Sequence, residues 1–215
     1  SEMCIRDRHT SLSVTDRGGW FYALHQENGA EETVVFRADM DAIKGPGNIP
    51  YHGCGHDGHS AILAGLCLLT EGRVFQKNLC FLFQPAEETG EGGNPCSRLL
   101  EELGADRVYG FHNLPGYPLG TAVMRRETFS CDTVNTPEIT DMSRMLFEQE
   151  GIPCLEAAAP FRWSEDFGWY LKKCRGMYFG IGAGEDCPDL HTPDYEFPDE
   201  VIRNAVRCLY LLAEI

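Results

Sequence analysis

Asn78-Leu-Cys-Phe-Leu-Phe-Gln84 is apolar without alternation, which is the pattern of a strand covered on both faces rather than one half-exposed to water. It runs directly into Pro85-Ala-Glu87-Glu88-Thr-Gly-Glu-Gly-Gly93. Paired carboxylates and a glycine-rich turn therefore follow a buried strand. In open α/β sheets, ligands sit beyond the carboxyl ends of the strands.

Working outward, Trp20–His25 and Thr33–Ala38 read as two more strands joined by a polar Gln-Glu-Asn-Gly turn. Ser60–Thr70 is rich in Ala and Leu and reads as a helix. Asn94 is placed to cap a helix with Pro95 at its first position, and Gly104 to end it. Val108–His112 is the next strand. Thr136-Pro137 opens a helix ending near Gly151, and Ser164 is placed to cap a short helix through Lys173. Met177–Ile181 is a strand, and Asp199–Glu214 an amphipathic closing helix. Strands alternating with helices predict an α/β fold with a mostly parallel central sheet and helices on both faces.

The chain has 215 residues, 43% of them hydrophobic, enough for one substantial core. A net charge of −15 argues against a nucleic-acid partner, because phosphate binding needs clustered Lys and Arg. No apolar run approaches the roughly 20 residues needed to span a bilayer, so no membrane partner is expected. The ten cysteines are too sparse for a disulfide scaffold and several sit in apolar runs, as buried free thiols do. With no leader peptide evident, the expectation is a reducing cytoplasm. Met3-Cys-Ile-Arg-Asp7 reads like a translated transposon adaptor from a metagenomic sequencing library. Residues 1–8 are therefore expected to lie outside the fold and residues 9–215 to form one domain.

Chemistry concentrates in His52-Gly-Cys54-Gly-His56-Asp-Gly-His59. Its glycines let the backbone turn so that neighbouring side chains converge, and thiolate and imidazole are favoured ligands of zinc and related metals. A structural zinc knuckle would want several closely spaced cysteines, and no Cys-x-x-Cys is present. In Glu87-Glu88, one carboxylate can ligate metal while its neighbour serves as a base toward water. His112 at a strand end and His191 in the polar loop Asp189-Leu-His-Thr-Pro193 would be weak signals alone. Asp39 and Asp41 are spaced i, i+2, so on a strand they share a face, where they could ligate or orient a ligating imidazole. Ser164-Glu-Asp-Phe167 reads as a capped helix start with an acidic first turn.

In order, Phe36–Ala42, Gly53–Ser60, Phe81–Gly93, Gly110–Pro115, Ser164–Phe167 and Leu190–Pro193 resemble the M-twenty metallopeptidase family. Within it they are most similar to the N-acyl-amino-acid amidohydrolases, a branch that includes hippurate hydrolases and hydrolases of indole-acetyl amino acids. The resemblance implies a three-layer α/β/α zinc-exopeptidase-like domain and two divalent transition-metal ions (Zn, Mn or Co). It implies Cys54, His56, Glu88, His112 and His191 as ligands, Glu87 as general base and Asp41 as the supporting acid. The implied substrate is a small N-acyl amino acid, hydrolysed at its amide by water activated between the metals. The Cys54 loop speaks against a dipeptidase or carboxypeptidase, since those relatives offer Asp there. A non-catalytic metal-binding remnant is the other alternative, although a binder has no need of Glu87. Family members carry a lid and dimerisation domain between two halves of the catalytic domain. Here Phe129–Asp132 and Thr133–Asn135 resemble the two flanks, so the insert is expected to be missing at about 132–133. A monomer, or a dimer through another face, is the implied assembly.

Overall fold

Thr33–Asp39 (β3) is buried at all seven positions, because its side chains alternate between two cores on opposite faces of one sheet. Val34, Phe36 and Ala38 enter one core and Val35 the other. Asn78–Gln84 (β6) divides in the same way, with Leu79, Phe81 and Phe83 on one side and Cys80 and Leu82 on the other. Each fully buried Val, Leu or Phe among these contributes about 1.5–3 kcal/mol.

The computed structural model describes residues 10–215, so the adaptor-like segment lies outside the described residues. The remaining strands are β1 (Ser13–Asp16), β2 (Phe21–His25), β4 (Ile43–Lys44), β5 (Pro50–Tyr51), β7 (Arg107–Pro115), β8 (Ala122–Met124), β9 (Cys154–Glu156) and β10 (Arg175–Gly184). The helices are α1 (His56–Thr70), α2 (Gly93–Leu103), α3 (Pro137–Gln149), α4 (Gly168–Leu171) and α5 (Glu200–Glu214). Eight strands form one sheet in the order β1-β2-β6-β3-β7-β10-β8-β9, and β4 and β5 form a separate ribbon. The central four, β6, β3, β7 and β10, run parallel, while β1, β2 and the β10–β8 pairing are antiparallel. Helices α1, α3 and α5 cover the larger core and α2 and α4 the smaller one, giving the expected three layers. No helix among the described residues is long and apolar enough to cross a membrane.

Several local expectations change. Trp20–His25 and Thr33–Ala38 are strands, yet they are not neighbours, because β6 inserts between them. Helix α1 begins at His56 rather than Ser60. Gly58, which locally disfavours helix, is required because a Cβ there would lie 2.4 Å from the Phe197 ring. Asn94 is not the cap of α2. The helix starts at Gly93, whose N–H donates to Asp166 Oδ2 at 2.7 Å, so the capping carboxylate comes from a distant segment. Ser164 does not cap a helix either: α4 is a single turn from Gly168, and Glu165 and Asp166 are buried instead.

Residues 128–134 form a closed hairpin. Thr128 bridges Val134, and Phe129 N–H donates to Thr133 O at 2.9 Å. Cys131 and Asp132 at the tip are exposed.

Candidate metal centre

Three strand ends and two loops deliver the site. Strand β3 ends at Asp39, with Asp41 two residues on. Strand β6 ends at Gln84 and gives way to a turn in which Ala86 adopts φ 55° and Gly90 N–H returns to Glu87 O at 2.8 Å. On that turn the adjacent carboxylates Glu87 and Glu88 both reach the same cavity. His112 lies in β7 beyond Gly110, the last residue paired with β3. Gly55, at φ 87°, swings the Cys54 loop into α1, so His56 is the helix's first residue. A Cβ on Gly55 would lie 2.7 Å from the Tyr195 hydroxyl and 2.9 Å from Asn113 Oδ1, so both backbone angle and space demand glycine.

All seven residues expected from the sequence converge. A cavity of about 210 Å³ is lined by Cys54, Glu87, Glu88, His112 and His191, with Trp163 and Leu190 as apolar walls. Ligand atoms of Cys54, His56 and His112 lie within 4.8 Å of one another, and so do those of Cys54, Glu88 and His191. Cys54 Sγ is common to both sets, 2.9 Å from His191 Nε2 and 3.8 Å from His112 Nε2. Glu87 belongs to a third set with His56 and Glu88. Asp41 stands behind the cavity and accepts from His56 Nδ1 at 3.0 Å and from Glu88 N–H at 3.0 Å. His52 and Asp57, in the same motif, are exposed and line a separate surface cleft.

The imidazoles are oriented for ligation. His112 Nδ1 donates to the Asn113 carbonyl at 2.8 Å, which fixes the proton there and leaves the Nε2 lone pair toward Cys54. Burial holds the His112 pKa well below the usual imidazole value, so the ring is neutral. His56 is arranged alike through Asp41, and its Nε2, like Glu88 Oε1, is buried without any hydrogen-bond partner. Burial opposes charge on His56, but Asp39, Asp41 and Glu87 push its pKa up to about 9. Burial, reinforced by Glu165 and Asp39, raises Glu87 to about 9. Burial and then Glu88 lift the Cys54 thiol far above its ordinary value. The cavity thus gathers electron-pair donors whose ionised forms burial and the neighbouring carboxylates disfavour.

Sequence reasoning left unassigned a buried layer beneath these residues. Arg37, 0% exposed, donates through Nη1 to Asp39 (2.7 Å), through Nη2 to Asp166 (2.8 Å) and through Nε to Gln84 (2.8 Å), with Glu165 at 3.4 Å. His59 faces Asp39 Oδ1 at 2.5 Å and Asn113 Oδ1 at 2.6 Å. The signal for His59 was present, since i, i+3 spacing from His56 puts both rings on one helix face. Glu165-Asp166 read as an ordinary acidic first turn, and only long-range pairing with Arg37 shows otherwise.

Solved structures share the fold. The Bacillus subtilis YXEP protein, described as a dinuclear metal binding peptidase from the M20 family, superposes with a TM-score of 0.81 at 16% identity, covering 94% of this chain and 87% of that one. A putative aminohydrolase of methicillin-resistant Staphylococcus aureus gives 0.81 at 14% identity, covering 96% and 88%. In sequence, an N-acetyldiaminopimelate deacetylase of Listeria monocytogenes is 35% identical over 116 residues, 47% of this chain and 31% of the relative. A Streptococcus uberis deacetylase of the same description is 35% identical over 117 residues, 48% and 31%. The matches thus span about a third of the length of these curated relatives. Residues 35–215, which carry every side chain assembled above, match the model of Peptidase family M20/M25/M40, and the chain belongs to that family.

Proposed function

We propose that this chain is the catalytic domain of a metal-dependent amidohydrolase that cleaves small N-acyl amino acids. The observation that carries this is the shared position of Cys54 in two ligand sets, with a further carboxylate, Glu87, beside them. Two divalent ions fit the donors present. The unpartnered Nε2 of His56 and Oε1 of Glu88 are buried lone pairs that a cation would satisfy. One thiolate, three imidazoles and a carboxylate suit Zn²⁺, Mn²⁺ or Co²⁺ better than Ca²⁺. Cys54, His56 and His112 would hold one ion, and Cys54, Glu88 and His191 the other. When bound, such ions polarise an amide carbonyl and lower the pKa of water.

The chain's own residues supply the remainder. Glu87, with one oxygen 3.9 Å from His56 Nε2, is placed to take a proton from water entering the cavity and to return it to the departing amine. Asp41 holds His56 by its Nδ1 and fixes the Glu88 backbone, so ligand and base keep their places on the turn. Trp163, stacked on Phe161 at 4.7 Å and 8°, is a rigid apolar wall for the acyl portion. The deacetylase relatives support N-acetyl amino acids as the first substrates to assay.

The 128–134 hairpin supports the absence of an inserted lid at 132–133, and the half-exposed His191 side chain agrees with an uncovered cleft. Hydrolysis should then be slow, because water screens the charges that stabilise an oxyanion; losing one donor typically costs about 10²–10³-fold. A monomer, or a dimer through another face, follows from the same absence. The unpaired state of all nine described cysteines supports a reducing compartment. The test is metal analysis of chelator-stripped and reloaded protein beside turnover of a panel of N-acyl amino acids. Two equivalents of metal and metal-dependent release of free amino acid are expected. A chain that takes up no metal and shows no thermal shift on its addition refutes the assignment.

A further inference from the structure

His191 is the least enclosed of the ligands, its side chain 52% exposed against 1% for His56. Its backbone adopts φ 64°, a left-handed conformation unfavourable for a non-glycine residue. Something outside the cavity must hold that loop. Its backbone N–H donates to Gly53 O at 2.8 Å, joining it to the Cys54 loop. The Tyr51 hydroxyl lies 2.8 Å from Thr192 O and 2.8 Å from Tyr195 O; with a single proton it donates to one of them at a time. The Tyr195 ring is 1% exposed, and its hydroxyl accepts from Asn113 Nδ2 at 2.5 Å. Asn113 belongs to β7 beside His112 and is paired there with β10. Neither tyrosine lines the cavity that Cys54 and His191 share.

We propose that Tyr51 and Tyr195 form a clasp that positions His191 and so sets the affinity of the Cys54–Glu88–His191 metal site while leaving the Cys54–His56–His112 site to its own supports. The inference rests on the two-metal reading above. The two sites are tied down by different groups. His56 is fixed by Asp41 and His112 by the Asn113 backbone carbonyl, atoms that the tyrosine hydroxyls do not touch. The His191 ring meets its fellow candidate ligands, Cys54 at 2.9 Å and Glu88 at 3.5 Å from Nε2, and its orientation comes from the backbone that carries it. Loss of Tyr195 Oη leaves the buried Asn113 amide short of an acceptor, and loss of Tyr51 Oη releases the loop's carbonyls. Groups that orient a ligand without touching the metal typically change affinity 10–100-fold.

The test is calorimetric titration of chelator-stripped protein with Zn²⁺ and, separately, Co²⁺, for wild type, Tyr51→Phe and Tyr195→Phe. Tyr109→Phe is the control, since that hydroxyl is buried without a partner and lies in the core away from the loop. Each clasp variant should weaken one of the two equivalents by about 10–100-fold and leave the other within about 3-fold. The control should bind like wild type, and the stripped clasp variants should still melt in one cooperative transition, Tyr195→Phe a few degrees lower because its Asn113 amide is unpaired. Both equivalents weakened alike alongside a fallen melting temperature would mean a merely structural role and would overturn the clasp, as would variants that titrate like wild type. A wild-type chain that binds no second equivalent overturns the two-metal reading itself and removes the clasp with it.

Discussion

Arg37→Met keeps the length of the side chain and removes its charge. In the wild type the guanidinium is the shared partner of Asp39, Glu165 and Asp166, which are 0%, 4% and 7% exposed. Breaking a buried ion pair by deleting one member typically costs about 3–5 kcal/mol, because the other charge stays buried without compensation. The three pairs share one cation and their losses do not add, so that range is taken once. For a domain of this size it lowers Tm by about 6–20 °C. The loss should depend on pH. Without Arg37, Glu165 and Asp166, which burial already raises, move further above their unfolded pKa values, so the folded state binds more protons than the unfolded one and stability falls as pH rises through that gap. Glu165 already shows this direction in the wild type, where burial, against Arg37, leaves it at about 7 rather than 4.5. The deficit of Arg37→Met should therefore be largest above about pH 7 and shrink toward pH 4.5 as protons replace the lost cation. The assay is thermal melting of both chains in chelator at a series of pH values, so that no bound metal compensates. A variant within about 2 °C of wild type at pH 8, or a deficit that does not change with pH, would refute the charge argument.

Glu87→Gln should keep both metal equivalents and lose about 10²–10⁴-fold in hydrolysis, whereas Glu88→Gln should weaken metal uptake; the opposite pattern in paired titrations and initial rates would exchange their roles. Cys54→Ala should weaken both equivalents, because its sulfur belongs to both ligand sets, while His191→Ala should weaken one, as elemental analysis at limiting metal would show. Gly92→Ala should destabilise the fold and disturb the Glu87–Glu88 turn, since its Cβ would lie 1.8 Å from the Pro85 carbonyl oxygen; an unchanged melting curve would show that the turn yields.

The parts of this molecule legible in its sequence are those where chemistry and pattern coincide locally. Unbroken apolar runs such as 79–83 announce strands covered on both faces, and the strand from Asn78 to Gln84 has the expected ends. The cysteine-histidine loop and the Glu87-Glu88 pair are dense enough to stand out, and His112 and His191 gain their meaning from them. What escaped is long-range. Asp166 caps α2 from 73 residues away, a distance at which no local rule operates, so Asn94 looked like the better cap. Arg37, central in a strand of hydrophobic neighbours, reads as an interruption until Asp39, Glu165 and Asp166 close around it. The short strands β8 and β9 have three residues each, too few for any period to register.

The hairpin at 128–134 has a consequence for how the chain may be opened. Its legs are held to each other, by the Phe129–Thr133 bond and the Asn135 N–H to Glu127 O bond at 2.8 Å, while Cys131 and Asp132 face solvent. Severing the backbone between those two residues breaks no sheet pairing and exposes no core. New termini tolerate such sites best, so a circular permutant beginning at Asp132 and ending at Cys131, its former ends joined by a flexible tether, should retain the sheet and the metal centre intact. The polypeptide's covalent order and its architecture are separable at this point.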